Sequence, residues 1–273
     1  MIVFPNCKIN LGLQVLNKRS DGYHNIATVF YPVPLKDALE ITPLSNATEP
    51  AIQCYGLAVE GDSSDNLCIK AWHLLKKDFP SLPPVQIHLL KNIPMGAGLG
   101  GGSADGAFML QMLDKKFQLS ISQEQLLAYA LQLGSDCPFF ILNQPCIATG
   151  RGEELQPLSL SLAGYQLVIV RMGIHVNTGK AFASLNVNST AKNSSLAADI
   201  LQPVNKWKHL LFNDFEQPVF EQFPAIAQAK ENLYQLGAVY AAMSGSGSTV
   251  FGLFNAEQNF TSGLPANCTV IRL

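Results

Sequence analysis

Five of the seven residues from Gly96 to Gly102 are glycine, within the run Pro94-Met95-Gly96-Ala97-Gly98-Leu99-Gly100-Gly101-Gly102-Ser103-Ala104-Asp105-Gly106-Ala107. Glycine loses more backbone entropy on folding than any other residue, so a plain connector has no use for so many. The run follows VQIHLL (Val85 to Leu90), which predicts a strand, and precedes a stretch from Ser103 to about Lys116 that predicts a helix. A glycine-rich turn from strand into helix aims successive N–H groups at one point, at the positive end of the helix, and phosphate is the usual anion there. The other use of such glycines is tight packing at the turn. Gly96, Gly98 and Gly101 also satisfy G-x-G-x-x-G, but a dinucleotide fold needs a strand ending in an acidic residue about 20 positions on, where this chain predicts helix. A Walker loop fails too, because no lysine stands between Gly102 and Ser103. Backbone and helix dipole are therefore expected to hold the phosphates.

Composition narrows the classes further. The 273 residues suffice for one large domain or two modest ones, and 48% of them are hydrophobic. Lys and Arg number 18 against 20 Asp and Glu, with no basic cluster, which argues against phosphate-driven nucleic-acid binding. The longest uncharged stretch, Asn232 to Gln258 broken only by Glu257, is too rich in Gly, Ser and Asn to span a membrane. Lys8 lies too near Lys18 and Arg19 to leave a signal-peptide apolar region. A cytoplasmic protein without nucleic-acid or membrane partners is expected. Cys7, Cys54, Cys68, Cys137, Cys146 and Cys268 are far apart, with no C-x-x-C and no paired histidine spacing, so reduced thiols and no resident metal site are expected.

Local patterns predict mixed α and β structure. Ile9, Leu11, Leu13 and Val15 alternate with Lys8, Asn10 and Gln14, the period of a half-buried strand with Lys8 and Asn10 on one face. Asp21-Gly22 is a hairpin signal between that strand and Ile26 to Val33, with Tyr23 and His24 just beyond the turn. Asp65 predicts an N-cap for NLCIKAWHLLKKDF, and Ser122 with Gln125 predicts a capping box for a helix ending near Gly134. Tyr165 to Met172 predicts a strand, AFASL a short helix, and Lys206 to Phe212 and Phe220 to Leu236 further helix. AVYAAM and TVFGLF predict two strands around Ser244-Gly245-Ser246-Gly247-Ser248, and Asn186 to Ser195 predicts a surface loop. A domain boundary is expected near residue 155, giving segments 1–155 and 156–273.

Pro94 to Ala107 resembles the phosphate loop of the GHMP kinases, the family of galactokinase, homoserine kinase and mevalonate kinase. Lys8-Ile9-Asn10-Leu11 and Ser244 to Ser248 agree with two further blocks of that family, in the same order along the chain. The resemblance implies an α+β, two-domain fold: an N-terminal nucleotide domain like domain 2 of ribosomal protein S5, and a C-terminal ferredoxin-like domain. Asp21-Gly22-Tyr23-His24, Leu133 to Phe140, Gly150-Arg151-Gly152-Glu153 and Asn213-Asp214-Phe215-Glu216 are similar to the branch whose substrate is a cytidyl diphosphate. That branch implies ATP-dependent phosphorylation of the 2-hydroxyl of a methylerythritol moiety. Homoserine or mevalonate as the alcohol is the alternative within the family. An RNA-binding module on the same N-terminal fold would need a basic face, which a net charge of −2 does not favour.

Carried over residue by residue, the resemblance makes Asp136 the acceptor of a hydrogen bond from the attacking hydroxyl and Lys8 the neighbour of the reacting phosphate. A lone aspartate after a helix is otherwise a cap or turn residue. Pro94, Met95, Gly96, Ala97, Gly98, Leu99, Gly100, Gly101, Gly102, Ser103 and Ala104 become the ATP loop, Ser103 with a further option of capping the helix or meeting magnesium. Asn66 and Lys91 match positions near the nucleotide, although a helix-start asparagine and a surface lysine also have plain structural readings. Asn10 would reach the methylerythritol hydroxyls. Tyr23 and His24 would stack on and read the cytosine, with Thr178 nearby and Phe182 covering its other side. ATP is the implied cofactor, magnesium arriving with it, and the protein a monomer or homodimer. Met172-Gly173 replaces the family's frequent Pro-Gly, and Cys137 stands where valine is frequent.

Overall fold

A computed structural model describes residues 1–45, 47–59, 61–185, 195–256, 258, 263 and 266–273. In chain order the strands are β1 (Ile2–Val3), β2 (Asn6–Lys18), β3 (His24–Lys36), β4 (Ala38–Pro43), β5 (Ala51–Gly56), β6 (Val85–Lys91), β7 (Cys146–Thr149), β8 (Glu154–Pro157), β9 (Tyr165–Val170), β10 (Tyr240–Met243), β11 (Val250–Asn255) and β12 (Cys268–Arg272). The α-helices are α1 (Leu67–Asp78), α2 (Gly101–Phe117), α3 (Gln123–Leu133), α4 (Cys137–Leu142), α5 (Thr178–Ala183), α6 (Leu196–Asp199), α7 (Trp207–Leu210), α8 (Glu216–Gln222) and α9 (Pro224–Gln235). The chain forms two compact units whose segments interleave: 1–7, 35–95 and 100–144 make the first, and 8–34, 96–99 and 145–273 the second.

In the first unit the sheet order is β1-β4-β6-β5, with β5 parallel to β6 and β4 antiparallel to it. Val85, Ile87, Leu89 and Lys91 are buried on one face of β6, as period 2 dictates. Helices α1 to α4 pack on one another. A Cβ at Gly106 would stand 2.8 Å from the Leu67 side chain, so glycine there sets the approach of α2 to α1. The capping box forms as expected: Ser122 Oγ accepts from Gln125 N–H, and Gln125 Oε1 accepts from Ser122 N–H. Two helix starts move by a residue or two. Asn66, not Asp65, caps α1 by accepting from Cys68 N–H, because Asp65 ends a 3-10 turn that begins at Ser63. α2 starts at Gly101 rather than Ser103, so Ser103 sits inside the first turn and caps nothing; Gly100 holds the cap position at φ +70° without a side chain.

The second unit contains two sheets, β2-β3-β7-β8 and β10-β11-β9-β12. In the latter, β9 and β11 are central and every pair is antiparallel. Taken in chain order its strands lie 2-3-1-4, the ferredoxin-like arrangement. Val168, Val170, Val250 and Phe254 share one core with Leu13, Val15 and Ile26 from the first two long strands. The expected continuous helix from Phe220 to Leu236 is instead α8 and α9. Pro224 has no N–H and disfavours helical backbone before it, and Phe223 accordingly takes φ −131° and ψ 76°. The expected helix from Lys206 shrinks to α7 after a 3-10 turn. Of the expected loop 186–195, residues 186–194 lie outside the described residues. None of the six cysteines is in a disulfide.

Candidate functional site

β2 departs from the half-buried pattern, since every residue from Asn6 to Val15 is buried. Its polar face is closed by hydrogen bonds within the second unit, which is why burial there is tolerable. Lys8 Nζ donates to Asn10 Oδ1 at 2.7 Å and to the Gly98 carbonyl at 3.2 Å, and lies 4.9 Å from the Phe30 ring centroid. Asn10 Nδ2 donates to Thr28 Oγ1 at 2.9 Å, and the Thr28 hydroxyl donates to the Gly12 carbonyl at 2.6 Å. Asn10 N–H donates to Ser244 Oγ, whose own hydroxyl donates to the Gly98 carbonyl at 2.9 Å. Main-chain bonds from Lys8 N–H to Leu99 O and from Thr249 N–H to Ala97 O fix the same loop.

Glycine is required at Gly98 by contacts inside the protein. Its φ is +81°, and a Cβ would stand 1.9 Å from the Ser244 carbonyl oxygen. The Ser244–Ser248 turn is braced in turn by Asn213, whose Nδ2 donates at 2.8 Å to the carbonyls of Met243 and Gly245. Asp214 accepts from Val15 N–H, and Glu216 from Met243 N–H. The sequence carries only a faint signal for these bracing roles of the Asn213-Asp214-Phe215-Glu216 segment, consecutive polar residues before a helix.

The second half of the glycine run belongs to the first unit. The N–H groups of Gly101, Gly102 and Ser103 precede the first intrahelical bond, from Ala104 N–H to Gly100 O, and point out of the positive end of α2. Ser103 is hydrogen-bonded to the Cys137 thiol, which burial pushes up to about 12. Lys91 is not a surface lysine. Its ammonium is fully buried, paired with Asp37 and, at 2.6 Å, with Asp105. Asp37 also accepts from Asn92 N–H and Ile93 N–H. Burial pushes the Asp105 carboxyl up to about 7 against the pull of Lys91, and its Oδ1 is buried without a hydrogen-bond partner. Lys91, Asp105, Asn66, Met95 and Gly102 line a cavity of about 210 Å³ in the first unit.

A second group lies in the other unit. Tyr23 is 55% exposed, and its N–H donates to Asp21 Oδ1. The His24 ring stacks on Phe182, centroids 4.8 Å apart at 15°, and Phe182 meets Phe215 edge-on. The His24 and Phe182 rings are thus in direct contact, and the Tyr23 ring is not part of that stack. Burial, with Lys18 nearby, holds the His24 pKa below its ordinary value, so its neutral ring offers one donor and one acceptor. Thr178 opens α5, its hydroxyl 2.9 Å from that of Ser246.

Asp136 occupies the N-cap position of α4 but its side chain makes no capping bond. Lys8, Asn10 and Gly96 to Leu99 thus come together in the second unit, as do His24 and Phe182, while Asn66, Lys91, Met95 and Gly102 surround one cavity in the first. Among the described residues no group of three His, Cys, Asp or Glu side chains could hold a metal ion, and no helix is long and apolar enough to cross a membrane.

Residues 66–144 match the model of the GHMP kinases N terminal domain and residues 196–268 that of the GHMP kinases C terminal. The chain belongs to the GHMP kinase family, whose members use ATP. It is 52% identical to a 4-diphosphocytidyl-2-C-methyl-D-erythritol kinase of Bacteroides fragilis, covering 96% of this chain and 94% of that one. A protein of the same name from Porphyromonas gingivalis is 46% identical, over 98% and 97% of the two chains. The crystal structure of a 4-(cytidine 5'-diphospho)-2C-methyl-D-erythritol kinase superposes with a TM-score of 0.79 at 32% identity, covering 93% of this chain and 90% of that one.

Proposed function

We propose that this chain transfers the γ-phosphoryl group of ATP to the 2-hydroxyl of 4-diphosphocytidyl-2-C-methyl-D-erythritol, releasing ADP, as a step of isoprenoid precursor synthesis by the non-mevalonate route. The observation that carries this is the 52% identity to a kinase of that name over nearly the whole chain. The side chains fit the chemistry. N–H groups at the start of α2 hold phosphate oxygens, and the Lys8 ammonium balances charge on the transferring group. Asp136 aligns the hydroxyl and takes its proton as the O–P bond forms and the bond to ADP breaks. Phosphoryl transfer has a loose transition state, so alignment and charge matter more than base strength. Asn10 faces the alcohol, Asn66 and Lys91 border the nucleotide, and Tyr23, His24, Thr178 and Phe182 serve the cytidyl end.

Magnesium fits as an ion carried by the nucleotide. The described residues provide no carboxylate cage, and such an ion keeps most of its waters and needs few protein oxygens, of which Ser103 Oγ is one. It would supply charge neutralisation at the phosphates. We place the enzyme in the cytoplasm as a monomer or homodimer. With homoserine or mevalonate as substrate Tyr23 would have no base to stack on. A coupled ADP-release assay separates the cases: turnover is expected with the cytidyl substrate and competition with CMP, and turnover with homoserine or mevalonate alone would reject the assignment.

A further inference from the structure

The Gly150-Arg151-Gly152-Glu153 segment is the tight turn joining β7 to β8. Gly150 and Gly152 take φ +67° and +111°, and a Cβ at Gly150 would stand 2.9 Å from Glu153 Oε2. The turn is anchored on β3, where Ile26 N–H donates to the Gly150 carbonyl at 2.7 Å, two residues beyond His24. Within it Glu153 grips Arg151 twice, Oε2 accepting from the main-chain N–H and Oε1 from Nε at 3.2 Å. The Arg151 side chain is 28% exposed, and its guanidinium carbon lies 4.8 Å from the Tyr23 ring centroid. A flat cation held by a carboxylate on a rigid turn therefore covers one face of a tyrosine that is otherwise exposed. Among the described residues no second ring stacks on Tyr23, whereas the neighbouring His24 is already stacked on Phe182.

We propose that Arg151 is a positioning residue for the pyrimidine: it backs the Tyr23 ring and presets it, leaving the opposite face as the platform for cytosine. This rests on the proposed function, which gives Tyr23 a base to stack on. An exposed tyrosine must lose side-chain freedom when a base binds it, and a ring already clamped by a guanidinium loses less. Glu153 acts one step further back, by fixing the guanidinium.

The test is steady-state kinetics with ATP and the cytidyl substrate on Arg151→Met, Arg151→Gln, Arg151→Lys, Tyr23→Leu and the Tyr23→Leu/Arg151→Met pair. Arg151→Met and Arg151→Gln are expected to raise KM for the cytidyl substrate about three- to thirty-fold, the range of a cation on an aromatic face. Their kcat and KM for ATP should move less than about two-fold, and Arg151→Lys, which keeps a cation, should recover most of the loss. Arg151→Met should add nothing in the Tyr23→Leu background, a coupling that mere support of the β7–β8 turn would not produce. An unchanged KM overturns the proposal, as does the same rise in both backgrounds. A lower KM overturns it as well, because the guanidinium would then occupy the face the base needs. If Tyr23→Leu itself leaves KM unchanged, the base-stacking part of the proposed function falls with it; if Tyr23→Leu raises KM and the Arg151 variants are silent, only this proposal falls.

Discussion

Asp136 stands at the N-cap position of α4 without capping it. Asp136→Asn is expected to lower kcat by about a hundredfold or more, with KM for both substrates changed little, as stopped or coupled ADP assays would measure. Asp105 makes a different prediction. Its carboxyl titrates at about 7 in the folded protein against an ordinary 3.8, so the folded state holds a proton that the unfolded chain has already released. Stability from this group is present below pH 3.8 and is lost as pH rises through about 7. Urea melts between pH 5 and 8 should therefore fall off less steeply for Asp105→Asn than for the parent. Neither the Asp37 and Asp105 partnership nor the depth of Lys91 was read from sequence, yet a signal existed. Val85, Ile87 and Leu89 point inward along β6, and Lys91 continues that parity. A lysine at an inward position requires a carboxylate, but which of the chain's carboxylates supplies it is decided by tertiary contacts. Lys8 and Asn10 were legible as neighbours on one strand face; that the face is buried depends on Gly98 and Ser244, which are far away in sequence.

Turns and caps were legible because their chemistry is local. The Ser122 capping box, the hairpin at Asp21-Gly22 and the strand before the glycine run all follow from residues a few positions apart. The cap lies at Asn66, one residue beyond the expected Asp65, because both are good caps and only the preceding 3-10 turn chooses between them. β5 carries no strand signal in its sequence, because it is exposed along most of its length and shows no alternation, its place being set by parallel pairing with β6. The glycine run suits a phosphate by its local sequence alone, whereas Gly98 also answers to the Ser244 carbonyl, which is remote in sequence. Gly98→Ala is expected to cost about 1–3 kcal/mol, the usual range for overpacking, and to reduce kcat as well, measured by melting and turnover together. Ser122→Ala, at a cap remote in sequence from the loop, should cost about 1 kcal/mol with kcat unaltered.

For the whole molecule, connectivity matters more than any boundary. The chain changes unit after Cys7, Pro34, Met95, Leu99 and Gln144, and Leu13, Val15 and Ile26 share a core with strands near the C-terminus. A fragment of residues 156–273 lacks those three side chains, so it is expected to show no cooperative thermal transition by circular dichroism, where the full chain does. The sealed Lys91 has a practical consequence. Acylating reagents attack only unprotonated amines that they can reach, and this ammonium is enclosed by two acids, while Lys36 and Lys77 are exposed. In native protein Lys91 should stay unlabelled while those two react, and the slow appearance of its tag in peptide mass spectra would time the opening of the surrounding fold.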